Sequence, residues 1–291
     1  MQHNKYRNSF GLLLSVLVAA FVFAGCARED AGTPQFSLKV TAFDEDGNEI
    51  DAEVVKDVTF YIFDKDKKFL DSYEGTLLES ITFDYPDHEA LTVVVWGNGR
   101  QGNQLMPTLH KGDHLETAFV SLIQTKTTLP LAGSPDDLFY GSIDMLANET
   151  STKVLSLKRK TSGVVVTARY LKEYVGDTDG EFHYVLRKSS DRLDFYGKLN
   201  GADVSYSPDA AFDNTGDFVS SVFNIFSTDN DIKIDIYYRN VLKTTIVSDS
   251  QGKPLRAVEG RLLNVFVNFK GSVSVGVKVT DWGSKEIWKE F

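Results

Sequence analysis

Apolar and polar residues alternate with a period of two along much of this chain, and that pattern limits the fold more than any other feature. The segment Phe36-Ser-Leu38-Lys-Val40-Thr-Ala42 is the clearest case, since a half-buried strand turns successive side chains to opposite faces. Val58 to Phe63 and Thr152 to Leu157 follow the same rule, and Leu91 to Trp96 is apolar enough for a strand buried on both faces. Further strands are predicted over Val164–Tyr170, Phe182–Leu186, Ser190–Tyr196, Phe218–Phe226, Ile232–Tyr238, Thr244–Val247, Leu262–Phe269 and Val273–Val279. Between them lie turn-forming clusters such as Asp44-Glu-Asp46-Gly47-Asn48, Tyr85-Pro86-Asp87 and Gly97-Asn98-Gly99. Helical periodicity is scarce. The expected fold is all-β.

One cysteine is present, Cys26, and it directly follows an apolar run from Phe10 to Gly25 that is headed by Lys5 and Arg7. A basic head, an apolar stretch of about fifteen residues and small residues before a cut make a secretory signal, too short to span a bilayer. Phe23-Ala24-Gly25-Cys26 resembles the bacterial lipobox, in which the cysteine is acylated and becomes the mature N-terminus. The expected signal peptide is 1–25, and the expected lipidation site is Cys26. With its only thiol consumed there, the exported chain has no internal disulfide and folds by burial alone. Three acyl chains hold a protein to a membrane stably. It is expected to be anchored, not spanning.

The sequence carries 31 basic and 41 acidic residues, a net charge of −10. Residues 1–25 contain Lys5 and Arg7 and no acid, so the mature chain stands at about −12. Nucleic acid is excluded as a partner on that balance, and anionic lipid headgroups are repelled. The acidic triplet Arg28-Glu29-Asp30 resembles the export signal of surface-exposed lipoproteins of Bacteroidales. The mature length suits two β-sandwich domains. Lys158-Arg159-Lys160 breaks the alternation before Val164 restarts it, which places the boundary there: 26–157 for the first domain and 158–291 for the second.

Four segments behind the lipobox carry a resemblance to a known family. They are "VTFYIFDKDKKFL" from Val58 to Leu70, "LTVVVWGNG" from Leu91 to Gly99, "DDLFYGSI" from Asp136 to Ile143, and "VKVTDW" from Val277 to Trp282. In this order and spacing they resemble the fimbrial anchor family of Bacteroidales, the minor and major anchor subunits of type V pili. The resemblance implies two tandem transthyretin-like antiparallel β-sandwich domains. It implies a lipidated base in the outer membrane and a subunit that attaches the pilus and limits its length, with fimbrial stalk pilins as partners. It implies no cofactor and no catalysis.

In such pili, as the resemblance has it, stalk subunits lose their first strand by cleavage after an arginine, and a neighbour's strand fills the groove. Here the connection from Asp44 to Asp57 contains Lys56 but no arginine; after Arg28 the next arginine is Arg100. The first strand, and the lipid with it, is expected to stay. The tail beyond Trp282, with Ile287, Trp288 and Phe291, either pairs internally or extends outward.

Other constellations are weaker. His110 and His114 have the spacing of a helical metal pair, but Gly112 between them favours a solvated loop. Asp44 to Glu49 invites a calcium reading, yet the twelfth position from Asp44 is Val55 where such a loop needs a glutamate; a hairpin turn at Asp46-Gly47-Asn48 fits better. No metal site and no catalytic set is expected. The competing function is a surface lipoprotein that binds glycans for nutrient uptake.

Overall fold

The computed structural model describes residues 35–125, 130–147, 151–176, 179–226 and 231–282. Twenty strands form within them. Nine lie in the first half: β1 (Gln35–Ala42), β2 (Val58–Asp64), β3 (Phe69–Gly75), β4 (Ser80–Asp84), β5 (Ala90–Gly97), β6 (Gln104–Leu105), β7 (Phe119–Leu122), β8 (Phe139–Leu146) and β9 (Lys153–Arg159). Eleven follow: β10 (Thr161–Arg169), β11 (Phe182–Ser190), β12 (Arg192–Asp194), β13 (Asp203–Tyr206), β14 (Ala210–Phe212), β15 (Phe218–Ser220), β16 (Phe223–Phe226), β17 (Lys233–Tyr238), β18 (Val241–Ile246), β19 (Arg261–Asn268) and β20 (Ser274–Asp281). One short α-helix, α1 (Leu171–Val175), and one 3-10 turn, Leu115–Thr117, interrupt them. The all-β expectation holds. The segment Phe218–Phe226 is two strands rather than one, and only Arg192–Asp194 of Ser190–Tyr196 pairs as a separate strand.

The first sheet runs β3-β2-β5-β8-β9-β1-β4. β8 and β9 pair only at Phe139↔Arg159 and Tyr140↔Lys158, so the sheet folds over at that joint and its two wings face each other. Phe36, Leu38, Val40 and Ala42 of β1 thereby meet Val58, Phe60 and Ile62 of β2 and Val93 and Val95 of β5 in a core drawn entirely from residues before Lys158. In the second half a sheet ordered β14-β15-β10-β19-β20 lies with a second sheet, β13-β11-β17-β18, around a larger core. Pairing is mostly antiparallel, as expected, with two exceptions: β1 runs parallel to β9, and β10 parallel to β19.

The near-continuous apolar run of β5 now has its cause. Leu91, Val93 and Val95 face the first core, while Val94 and Trp96 face the larger one, as do Tyr61 and Phe63 of β2. A strand covered on both faces has no solvent side to alternate with. What covers the outer face comes partly from the second half: the Phe195 ring sits 4.9 Å from Tyr61 and 5.9 Å from Trp96, and its carbonyl accepts a hydrogen bond from Tyr140 Oη. β12 pairs with β7, and Ala132 N–H donates to the Ser205 carbonyl. The two halves are thus interlocked: a segment of each lies on the other.

Candidate functional site

Cys26 lies outside the described residues, nine positions before the start of β1. β1 itself is held on both sides. Its residues from Gln35 to Lys39 pair antiparallel with β4, and those from Leu38 to Ala42 pair parallel with β9. Phe36, Leu38, Val40 and Ala42 are all essentially without exposure. A strand so placed leaves no groove open between β9 and β4.

The connection after β1 begins with a turn built by its first residue. Asp44 Oδ1 accepts from the backbone N–H groups of Asp46 and Asn48, Oδ2 accepts from the Asn48 amide, and Gly47 takes φ of +84°. This is the hairpin turn expected at Asp46-Gly47-Asn48. The Asp44 carboxyl is held below the ordinary range, first by Asn48. Farther on, Ile50 and Val55 are buried, and Asn98 ties the connection down. It accepts from Lys56 N–H at 2.8 Å and donates to the carbonyls of Val54 and Asp137 at 2.9 Å. Asn98 adopts φ of +58°, the left-handed conformation that asparagine tolerates; the "WGNG" segment therefore encodes a backbone staple.

A cleft at the seam of the two halves is lined by this turn and by Arg159, Arg261, Asp281 and Trp282. Arg261 donates to both carboxylate oxygens of Asp46 at 2.9 and 2.7 Å and also to Asp281. Arg159 is buried, paired in a fork with Asp137 at 2.6 and 2.8 Å, with its guanidinium between the rings of Phe139 and Trp282. Lys160 pairs with Glu259 at 2.7 Å. Both arginines already have carboxylate partners, so the cleft acts as a clasp across residues distant in sequence. Arg159 and Lys160 belong to the triplet read as a break in the pattern. Their role as seam anchors was hidden, and the nearby Asp136-Asp137 pair was its only trace.

His110 and His114 fall in an exposed loop as expected, each beside its own carboxylate: Asp113 for the first and Glu116 for the second. Among the described residues no group of three or more His, Cys, Asp or Glu side chains is arranged to hold a metal ion, and no helix is long and apolar enough to cross a membrane. Trp282, the first of the tail aromatics, stacks on Arg159; Trp288 and Phe291 lie outside the described residues.

Among the described residues β20 pairs with β19 alone and stands at the end of its sheet. Near its start Val275 N–H donates to Ser250 Oγ, and the Val275 carbonyl accepts from Ser250 N–H. Beyond that, Val277 is half-buried and Val279 exposed.

Residues 29–288 match the family described as fimbrillin-A associated anchor proteins Mfa1 and Mfa2. The major fimbrium anchoring subunit FimB of Porphyromonas gingivalis is 27% identical over 92% of this chain and 92% of its own length. The FimB of strain W83 is 26% identical over 95% and 96%. The solved structure of the fimbrial anchor protein Mfa2 from Porphyromonas gingivalis shares the fold, with a TM-score of 0.64 at 14% identity over 85% of this chain and 97% of that one. The match spans the strands, the clasp and β20 together, and on it the chain belongs to the family of fimbrillin-A associated anchor proteins.

Proposed function

We propose that this protein is the lipid-anchored base of a fimbria: acylated at Cys26, seated in the outer membrane with its folded part exposed at the surface, holding stalk pilin subunits and limiting the length of the pilus. Its role is structural, without catalysis. The observation that carries the reading is the placement of β1. A strand buried between β9 and β4 links the lipid to the core of the first half through nine residues, at most about 30 Å of extended chain. Pulling on the pilus therefore loads two hydrogen-bonded ladders and a packed apolar face. A base that surrendered β1 would surrender its lipid as well, and the arginine-free connection from Asp44 to Asp57 is consistent with its retention.

We further read the chain as two tandem sandwich units, 26–157 and 158–291. In support, a single residue, Lys160, separates β9 of one sheet from β10 of another, and one core is built wholly before it. The interlock through Phe195 and β7 would make the pair rigid. The anchor reading is favoured over the glycan-binding one by the relatives named above and by the aromatic side chains. Among the described residues only Tyr174 and Tyr196 are exposed aromatics, and neither forms a platform with the other by ring contact.

Mass spectrometry of the protein recovered from cell envelopes tests this reading. An acylated Cys26 joined to an uncut β1 is the expected mature N-terminus. A strain lacking the protein is expected to shed its fimbriae and to make them longer. Fimbriae of normal length and attachment in that strain would overturn the proposal.

A further inference from the structure

The chain contains two Asn-Gly dipeptides, Asn98-Gly99 and Asn200-Gly201, and the fold treats them in opposite ways. Asparagine followed by glycine is open to attack on its own side chain, because glycine has no Cβ to keep its nitrogen away from the amide carbon. At Asn98 that attack is blocked. Its amide nitrogen is held by the carbonyls of Val54 and Asp137, its Oδ1 accepts from Lys56 N–H, and Gly99 N–H donates to Asp57 Oδ1 at 3.2 Å. Asn200 instead stands exposed beyond β12. Among the described residues neither its side chain nor the Gly201 N–H has a hydrogen-bond partner.

Gly201 is not free to change. A Cβ there would lie 2.1 Å from Asp191 Oδ1 and 2.8 Å from the Arg192 nitrogen, so the packing itself requires the glycine that makes Asn200 reactive. The chain is also gripped on both sides of the dipeptide. Asn200 N–H donates to the Arg192 carbonyl at 3.1 Å, and Ala202 N–H donates to Asp191 Oδ1 at 2.9 Å while its carbonyl accepts from Asp191 N–H at 3.1 Å. These grips hold the base of β12, which pairs with β7 of the first half and leads into Phe195, the ring that caps Tyr61 and Trp96.

We propose that Asn200 is a site of spontaneous modification, at which the main chain lengthens with age. The Gly201 nitrogen bonds to Asn200 Cγ and gives its proton to the departing amide nitrogen, which leaves as ammonia; water then opens the five-membered imide at either carbonyl. One opening gives aspartate. The other gives isoaspartate, whose backbone runs through Cβ and Cγ and is one carbon longer. Between two fixed grips that carbon has no room, so isoaspartate loosens β12 and with it the interlock of the two halves. This inference is independent of the anchor reading and survives its failure. Peptide mapping by mass spectrometry of residues 27–291, stored folded in mildly alkaline buffer, tests it. Deamidation accumulates at Asn200 and not at Asn98, and in urea the two sites react alike. An unmodified Asn200, or equal rates at the two sites in the folded chain, would overturn the proposal. The melting temperature falls as isoaspartate accumulates, whereas Asn200→Gln ages without loss. Freshly made Asn200→Asp, which gains the charge without the extra carbon, melts with the unaged native chain. Aged native protein as stable as aged Asn200→Gln would overturn the loosening of β12.

Discussion

Arg159 and Asp137 form a forked ion pair at the joint between β9 and β10, with the arginine 4% exposed. Burial pushes the Asp137 carboxyl above its ordinary range, while Arg159 and the Thr161 hydroxyl pull it back. The charge is thus kept by its partners, and removing one of them strands the other. Arg159→Met or Asp137→Leu alone is expected to cost about 3–5 kcal/mol in urea unfolding, whereas the double replacement costs less than either, because two apolar side chains leave no orphan charge. Additive losses would show that the two residues act separately. Trp282 should report the change directly, since its ring rests on the guanidinium.

Asn98 offers a second test, of a backbone staple rather than a charge. Asn98→Ala removes the acceptor for Lys56 N–H and both donors to Val54 and Asp137, and it places a Cβ residue at φ of +58° without side-chain compensation. A loss of about 1–3 kcal/mol is expected. Asn98→Gly loses the same bonds but suits the left-handed backbone; it should fall between alanine and the native residue. If glycine proved as costly as alanine, the conformation would not matter.

The strands were legible because burial on one face writes itself into the sequence with a period of two, as in Phe36 to Ala42. The turn at Gly47 was legible from its residue types. What could not be read was which strand lies beside which. Nothing local in Leu38-Lys-Val40 says that it runs parallel to Leu155-Ser-Leu157, and nothing around Phe195 says that its ring caps Tyr61 and Trp96, positions 134 and 99 residues earlier in the chain. Such pairings depend on the sum of two cores closing. The seam was hidden for a related reason: Arg159 sits at an alternating position that the pattern reserves for apolar residues, and in the sequence it reads as an interruption.

Acid should release the second tie of the seam at a low pH. The Arg261 guanidinium holds the Asp46 carboxyl below the ordinary aspartate value of 3.8 through its hydrogen bonds, and Asn48 does the same for Asp44. A depressed folded value means stability that is present above the unfolded value and lost as pH falls through the folded one. The clasp is therefore expected to persist at pH 5 and to fail only below 3.8. Carboxyl resonances in an NMR titration check this. In Arg261→Gln the Asp46 midpoint should rise toward 3.8, and an unmoved midpoint would mean that Arg261 is not its partner. Added salt should weaken the effect, since the pair is accessible to solvent.

Retention of β1 can be separated from the continuity of the chain. Glu53 is exposed in the connection between β1 and β2, so Glu53→Arg supplies the arginine this segment lacks without touching a core. An arginine-specific protease should then cut after position 53. The fragment that carries β1 is expected to remain bound through its two ladders and its buried Phe36, Leu38, Val40 and Ala42, and to co-elute with the remainder until denaturant is added. Leu38→Ala in the same chain removes a fully buried side chain, which costs about 2–5 kcal/mol, and should let the cut fragment go. If the fragment left at once without that substitution, packing alone would not hold β1, and its retention would depend on an unbroken connection.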